Sequence, residues 1–275
     1  MDQMQASRFS LTGSALKIIA SAAMLFDHVF KILGVWVIAN YLPVLQSAGD
    51  ITSEIAEQVN EFILYHAYSF GTIAFPIYCF LLVEGFSHTK DIRKYVQRLL
   101  AFAVISEIPF DLAIFGRIDF GYQNVFFTLL LGLLMICAMG KCEKKEYLAV
   151  NNAKNIITQI GRAFPFVIVQ IGTPVFFALM ACIIKCDYEM RGILYIFVFY
   201  INRSSRLGQI IAFLIAYAII NGRFPTIYMF LACGFISLYN GKRGMQLNKY
   251  FFYAFYPVHL FILYVATQIM SATLI

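Results

Sequence analysis

Charge is scarce in this sequence. Asp, Glu, Lys and Arg make up 13% of its 275 residues, about half the share of an ordinary soluble domain. There is no low-complexity segment, no internal repeat and no linker marking a second domain. No two cysteines form a CxxC pair, and four of the six cysteines lie inside apolar runs. They read as small buried hydrophobes, and no metal is expected. Disordered, collagenous and disulfide-framework classes are excluded by the same composition.

What is present is apolar: 61% of residues are hydrophobic and mean hydropathy is +0.75. A soluble globule of this size could not hide that surface. The chain reads as an all-α, polytopic helical membrane protein, one domain over 1–275. Apolar runs cover 15–39, 62–86, 95–115, 124–140, 163–184, 192–201, 207–220, 226–239 and 250–270. That predicts about nine transmembrane helices, with ten as the alternative. The first run is too long for a cleavable signal core. A short segment, 1–14, precedes it, and an acidic stretch without basic residues, 40–61, follows it as a loop.

The net charge of +6 reads as topology rather than as a nucleic-acid footprint, because Lys and Arg collect in cytoplasmic loops. With the N-terminus inside, sixteen Lys and Arg fall on the cytoplasmic side. Only Arg117, Lys185, Arg191 and Arg223 fall opposite, and Lys31 lies inside the first span. The 40–61 loop is then extracytoplasmic, and membrane lipids are the surrounding partner.

A charge at membrane depth costs about 3 kcal/mol or more and marks a candidate site. Lys17 and His28 are eleven residues apart, almost three whole helical turns, so they share a face. Lys17 stands at the cytoplasmic mouth and His28 about 16 Å deeper. Asp27 points away from that face and reaches Lys31 at i+4. On the third span Glu107 and Asp111 are also i, i+4, with Pro109 between. That pattern suits either a hydrated cavity or a structural kink. His259, on the last span, lies at a depth close to that of His28 and is a second proton-handling candidate. A basic mouth above a buried imidazole suits a transferase taking a phosphate-bearing donor. It equally suits a proton-coupled transporter, although paired broken helices and repeated halves are not evident.

An ordered set of short motifs resembles the TraX family. It begins with Leu16-Lys17, Met24-Leu25-Phe26-Asp27-His28, Ala74-Phe75-Pro76-Ile77 and Leu82-Val83-Glu84-Gly85-Phe86. It continues with Tyr95 and Arg98, Ile105-Ser106-Glu107-Ile108-Pro109-Phe110-Asp111, Asn124 with Thr128, and Asp187-Tyr188. It ends with Tyr239-Asn240-Gly241-Lys242-Arg243-Gly244 and Tyr256-Pro257-Val258-His259-Leu260. The resemblance implies a multi-pass acetyltransferase of the bacterial cytoplasmic membrane. Its donor substrate would be acetyl-CoA and its acceptor a pilin or other peptide N-terminus, or a surface-glycan hydroxyl. The alternative is a transporter or a non-catalytic assembly factor for pilus or envelope. A related group of membrane acyltransferases carries Arg, ten residues, then His on its first span. Lys17 and His28 reproduce that spacing with Lys for Arg, and a lysine cannot grip phosphate bidentately. The candidate catalytic residues are His28, Glu107, Asp111, His259 and Asp27. The candidate donor-binding residues are Lys17, Arg93, Arg98, Arg203 and Arg243.

Overall fold

The computed structural model describes residues 10–67, 69–151, 156–245 and 248–274, with side chains outside 146–165 and 249. Arg8 and most of the 1–14 segment, Lys154, and the side chains of Arg162 and Lys249 therefore lie outside the described residues. Helices α1 to α11 are Gly13–His28, Leu42–Ala48, Ser53–Ala67, Ala74–His88, Ile92–Phe115, Val125–Asn151, Ile156–Ile183, Glu189–Ile201, Arg206–Asn221, Ile227–Ser237 and Lys249–Thr273. Wider π-helical turns, Val29–Gly34 and Val37–Tyr41, carry α1 onward into α2, and a 3₁₀ turn, Phe70–Ile73, leads into α4. Among the described residues the β-structure consists of isolated bridges, Leu11 with Tyr239 and Gln123 with Cys186.

Polar side chains set where helices begin. Thr12 accepts from the Ala15 amide, Asp91 from Lys94, Ser205 from Gly208 and Asn248 from Tyr250. Each satisfies an amide that the helix itself leaves without an acceptor. The stretch 40–61 is not simply a loop: it holds α2 and the first half of α3. Pro43 sits in the first turn of α2, and Gly49 ends that helix at φ 79°. Thr52 accepts from the Ile55 amide and Glu54 lies in the first turn of α3. Hydropathy misses this helix because the stretch is acidic, whereas capping and helix polarity favour it.

Five helical stretches among the described residues are long and apolar enough to cross a membrane: Gly13–Ala48, Ser53–His88, Val125–Lys145, Phe166–Ile183 and Tyr250–Thr273. The helices Arg206–Asn221 and Ile227–Ser237 are apolar but shorter. Helix α5 is long enough, but it carries Arg93, Lys94, Arg98, Glu107 and Asp111. On α9 the residues Leu207, Ile211, Ile215 and Ile219, spaced one turn apart, are all exposed. On α7 Ile168, Ile171, Val175, Leu179 and Ile183 are exposed as well. Water would penalise such faces, and lipid is their natural solvent. The protein is an all-helical membrane protein.

The chain divides into two compact units. The first takes Met1–Leu81, Ile105–Asp119 and Phe224–Ile275. Its core includes Leu16, Ala20, Ile77, Cys79, Phe80, Ile236 and Leu260. The second takes Leu82–Val104 and Phe120–Arg223. It packs Leu133, Met135, Ile136, Ile193, Ile196, Phe199 and Phe213. Within it, Gly132 lets α6 approach Ile196 of α8 so closely that an added Cβ would lie 2.2 Å from that side chain.

Candidate functional site

In the first unit α1 and its π-helical extension lie against α11, and three contacts give the direction. The Lys17 ammonium sits 5.4 Å from the Phe252 ring centre. His28 Nδ1 is 2.7 Å from His259 Nε2. The Trp36 indole N–H donates to Ser271 Oγ at 2.9 Å. Residue numbers rise together on both helices, so the two run parallel. The outer contacts are nineteen residues apart on each helix, about 28 Å at helical rise, close to the ~30 Å apolar thickness of a bilayer. The histidine pair lies in the middle of this seam.

The two imidazoles are nearly coplanar, with ring centres 5.0 Å apart and 22° between planes. His259 is 5% exposed, and its Nδ1 is bonded to the Phe255 carbonyl one turn earlier, at 2.7 Å. The Tyr256 ring stands edge-on to both. His28 keeps 13% of its side chain accessible, and its Nε2 lies 4.0 Å from Asp27 Oδ2. The angular separation of neighbours on a helix suggests that Asp27 and His28 diverge. Their Cβ atoms do so, but the far nitrogen of the imidazole reaches back to the carboxylate.

Asp27 is 6% exposed, and its Oδ2 accepts from Lys31 Nζ at 2.8 Å. A buried carboxylate needs such a partner. Its other neighbour is Gly71 in the 3₁₀ turn: a Cβ there would fall 2.0 Å from both Asp27 Cγ and Oδ1. Only a residue without a side chain lets the turn press on the carboxylate. One turn and a half before Asp27, Ser21 Oγ is bonded to Tyr78 Oη at 2.8 Å.

The loop after α10 closes the start of α1. The Gly13 amide donates to the Lys242 carbonyl and the Ser14 amide to the Arg243 carbonyl, at 2.8 and 3.0 Å. Gly244, at φ 76°, passes so near Thr12 and Ser14 that a Cβ would lie 2.2 Å from Thr12 Oγ1. This turn brings the exposed basic pair Lys242 and Arg243 to the Lys17 end of α1.

The remaining candidates are placed otherwise. Glu107 and Asp111 are buried, at 6% and 0% exposure, in the part of α5 that belongs to the first unit. Asp111 Oδ2 accepts from the Asp119 amide at 2.9 Å and so ties down the turn after α5. Arg93, Arg98 and Arg203 belong to the second unit. Arg93 is exposed, and Arg98 lies 5.7 Å from the Tyr95 ring centre. Arg203 stacks on Tyr200 at 4.2 Å and is paired with Glu143 Oε2 at 2.6 Å. A cavity of about 250 Å³ is lined by Ile38, Leu42, Pro43, Gln46, Ser53, Ala56, Glu57 and Asn60, and none of these is a candidate site residue. Among the described residues no three His, Cys, Asp or Glu gather as a metal site.

Sequence reasoning missed three participants. Gly71 and the Phe255 carbonyl have no side-chain signal. Tyr256 does, standing beside Pro257 three residues before His259.

Residues 12–267 match a family model described as TraX protein. The chain is also similar to a probable fimbrial assembly protein FimC, serogroup H1, of Dichelobacter nodosus. Identity is 29% over 221 residues, covering 70% of this chain and 79% of that one. No solved structure matches.

Proposed function

From the premise that the chain belongs to the TraX family, we propose that it is a membrane-bound acetyltransferase acting at a pilus or envelope substrate. It moves an acetyl group from acetyl-CoA to an acceptor amine of a pilin or other peptide, or to a surface-glycan hydroxyl. The observation that carries this reading is the His28–His259 pair, held midway along a seam whose start is lined by Lys17 and Arg243. Phosphates of the donor fit the basic end, and its extended arm has the reach to bring a thioester towards His28. A neutral acceptor nitrogen, or an oxygen, attacks the thioester carbon. His28 takes the acceptor's proton, the C–S bond breaks, and the proton passes to the departing sulfur. The products are acetylated acceptor and coenzyme A, with His28 neutral again. The Asp27 carboxylate stabilises the transient imidazolium.

The parallel course of α1 and α11 supports an odd number of crossings, as a nine-span, N-inside path in the inner membrane requires. The deciding experiment supplies membranes with labelled acetyl-CoA. Acetyl transfer that disappears in His28→Ala at normal protein level supports the reading. Undiminished transfer in that variant, or none in the native protein, rejects it. The name of the Dichelobacter nodosus relative favours a second reading, a non-catalytic assembly factor. That reading expects pilus or envelope assembly to survive His28→Ala.

A further inference from the structure

A backbone carbonyl has lone pairs and no proton to give. In the 2.7 Å bond between His259 Nδ1 and the Phe255 oxygen, the Nδ1–H must therefore donate. A neutral imidazole has one N–H and one bare nitrogen, so His259 Nε2 is bare and accepts. The proton in its 2.7 Å bond to His28 then belongs to His28 Nδ1. Neutral His28 is left with its lone pair on Nε2, the atom 4.0 Å from Asp27 Oδ2. A bare nitrogen and a carboxylate oxygen are both acceptors, so no hydrogen bond forms between them and the lone pair stays available.

The opposite arrangement needs a cationic His259 donating from both nitrogens. Its ring is 5% exposed, and among the described residues no carboxylate lies within 4.0 Å of it, whereas Asp27 is already engaged by Lys31. A buried cation without a counter-ion is strongly disfavoured.

We propose that His259 is a positioning residue: it locks His28 in the Nδ1–H tautomer and so makes Nε2 the proton-accepting atom of the site. The use of that atom rests on the acetyl-transfer reading, whereas the tautomer does not. A proton taken up on Nε2 arrives beside a carboxylate, while the bond from Nδ1 to His259 is kept throughout the cycle. Second-nitrogen hydrogen bonds set histidine function in this way wherever one ring nitrogen must act as base.

The test uses the full chain in lipid nanodiscs, labelled with ¹⁵N at its four histidines and assigned by single replacements. Native protein should show His28 protonated at Nδ1 and bare at Nε2. In His259→Leu that preference should be lost and acetyl transfer should fall by roughly 10²-fold, with the KM for acetyl-CoA nearly unchanged. In His259→Gln, whose amide oxygen still accepts from Nδ1, tautomer and most of the activity should return. A native His28 protonated at Nε2, or a His28 ring signature unchanged in His259→Leu, overturns the proposal. If native protein transfers no acetyl group, the transferase reading fails while the native ring spectrum still decides the tautomer. If His259→Leu does not fold, that spectrum again decides alone.

Discussion

Asp27 and Asp111 are both buried carboxylates on helices of the same unit, and they are held in opposite ways. Asp111 takes the backbone amide of Asp119, a donor that never changes its charge. Asp27 lies between Lys31 and the far nitrogen of His28, and its back rests on Gly71. One carboxylate closes a turn. The other sits beside a titratable imidazole. Burial alone, which is nearly the same for the two, does not separate structure from chemistry; the identity of the partners does.

The largest effect that would break this contrast is on activity. His28→Ala should lower acetyl transfer by about 10²-fold or more, and Asp27→Asn by roughly tenfold through loss of charge beside the imidazolium. Asp111→Asn keeps an oxygen for the Asp119 amide and should leave transfer within a factor of about two, since it removes no hydrogen bond. Equal losses in Asp27→Asn and Asp111→Asn, measured with labelled acetyl-CoA, would erase the distinction.

Next in size is Gly71→Ala. The added methyl overlaps the Asp27 carboxylate, and overpacking of this kind costs about 1–3 kcal/mol. Transfer activity should fall as well. Gly234→Ala, with open space around it, should stay within about 0.5 kcal/mol. Thermal unfolding in detergent compares the two. Smaller again is Asp111→Ala, which should cost about 1 kcal/mol for the lost turn bond and little activity.

The smallest effect is at the start of α5. The Lys94 backbone amide, and then the Lys94 ammonium, hold the exposed Asp91 carboxyl below its ordinary value of 3.8. Its stabilisation is therefore complete above that ordinary value and is lost as pH falls through the lower folded one. The difference in melting temperature between native protein and Asp91→Asn should be constant near neutrality and shrink in acid. A difference that grows in acid would reverse the sign.

Much of the fold was legible because hydropathy reports lipid-facing helices directly. Among the described residues most apolar runs fall on a single helix; the 15–39 run continues from α1 into the π-helical turns, and the 62–86 run is divided between α3, the 3₁₀ turn and α4. The acidic 40–61 stretch was not legible in this way, since its helices are set by Pro43, Gly49 and Thr52 rather than by apolar content. At the site, helical periodicity placed Lys17 and His28 on one face, and depth put His259 near His28. The contact of Asp27 with Gly71 was hidden. It depends on a 3₁₀ turn folding back over a helix, and no local pattern in either segment specifies that approach. The π-helical turns that follow His28 likewise leave no mark in composition.

The pairing of α1 with α11 has a consequence for how the protein is made. Asp27 and Lys31 lie one turn apart and can neutralise each other as soon as their helix forms. His28 must wait for His259, 231 residues further along the chain. At translation rates of about 5–20 residues per second, that wait is on the order of 10–50 s. The nascent protein therefore carries its ion pair into the membrane early, whereas its histidine pair is completed only when the final helix arrives. A chain cut short anywhere before α11 would keep the Asp27–Lys31 pair and lack the histidine pair altogether.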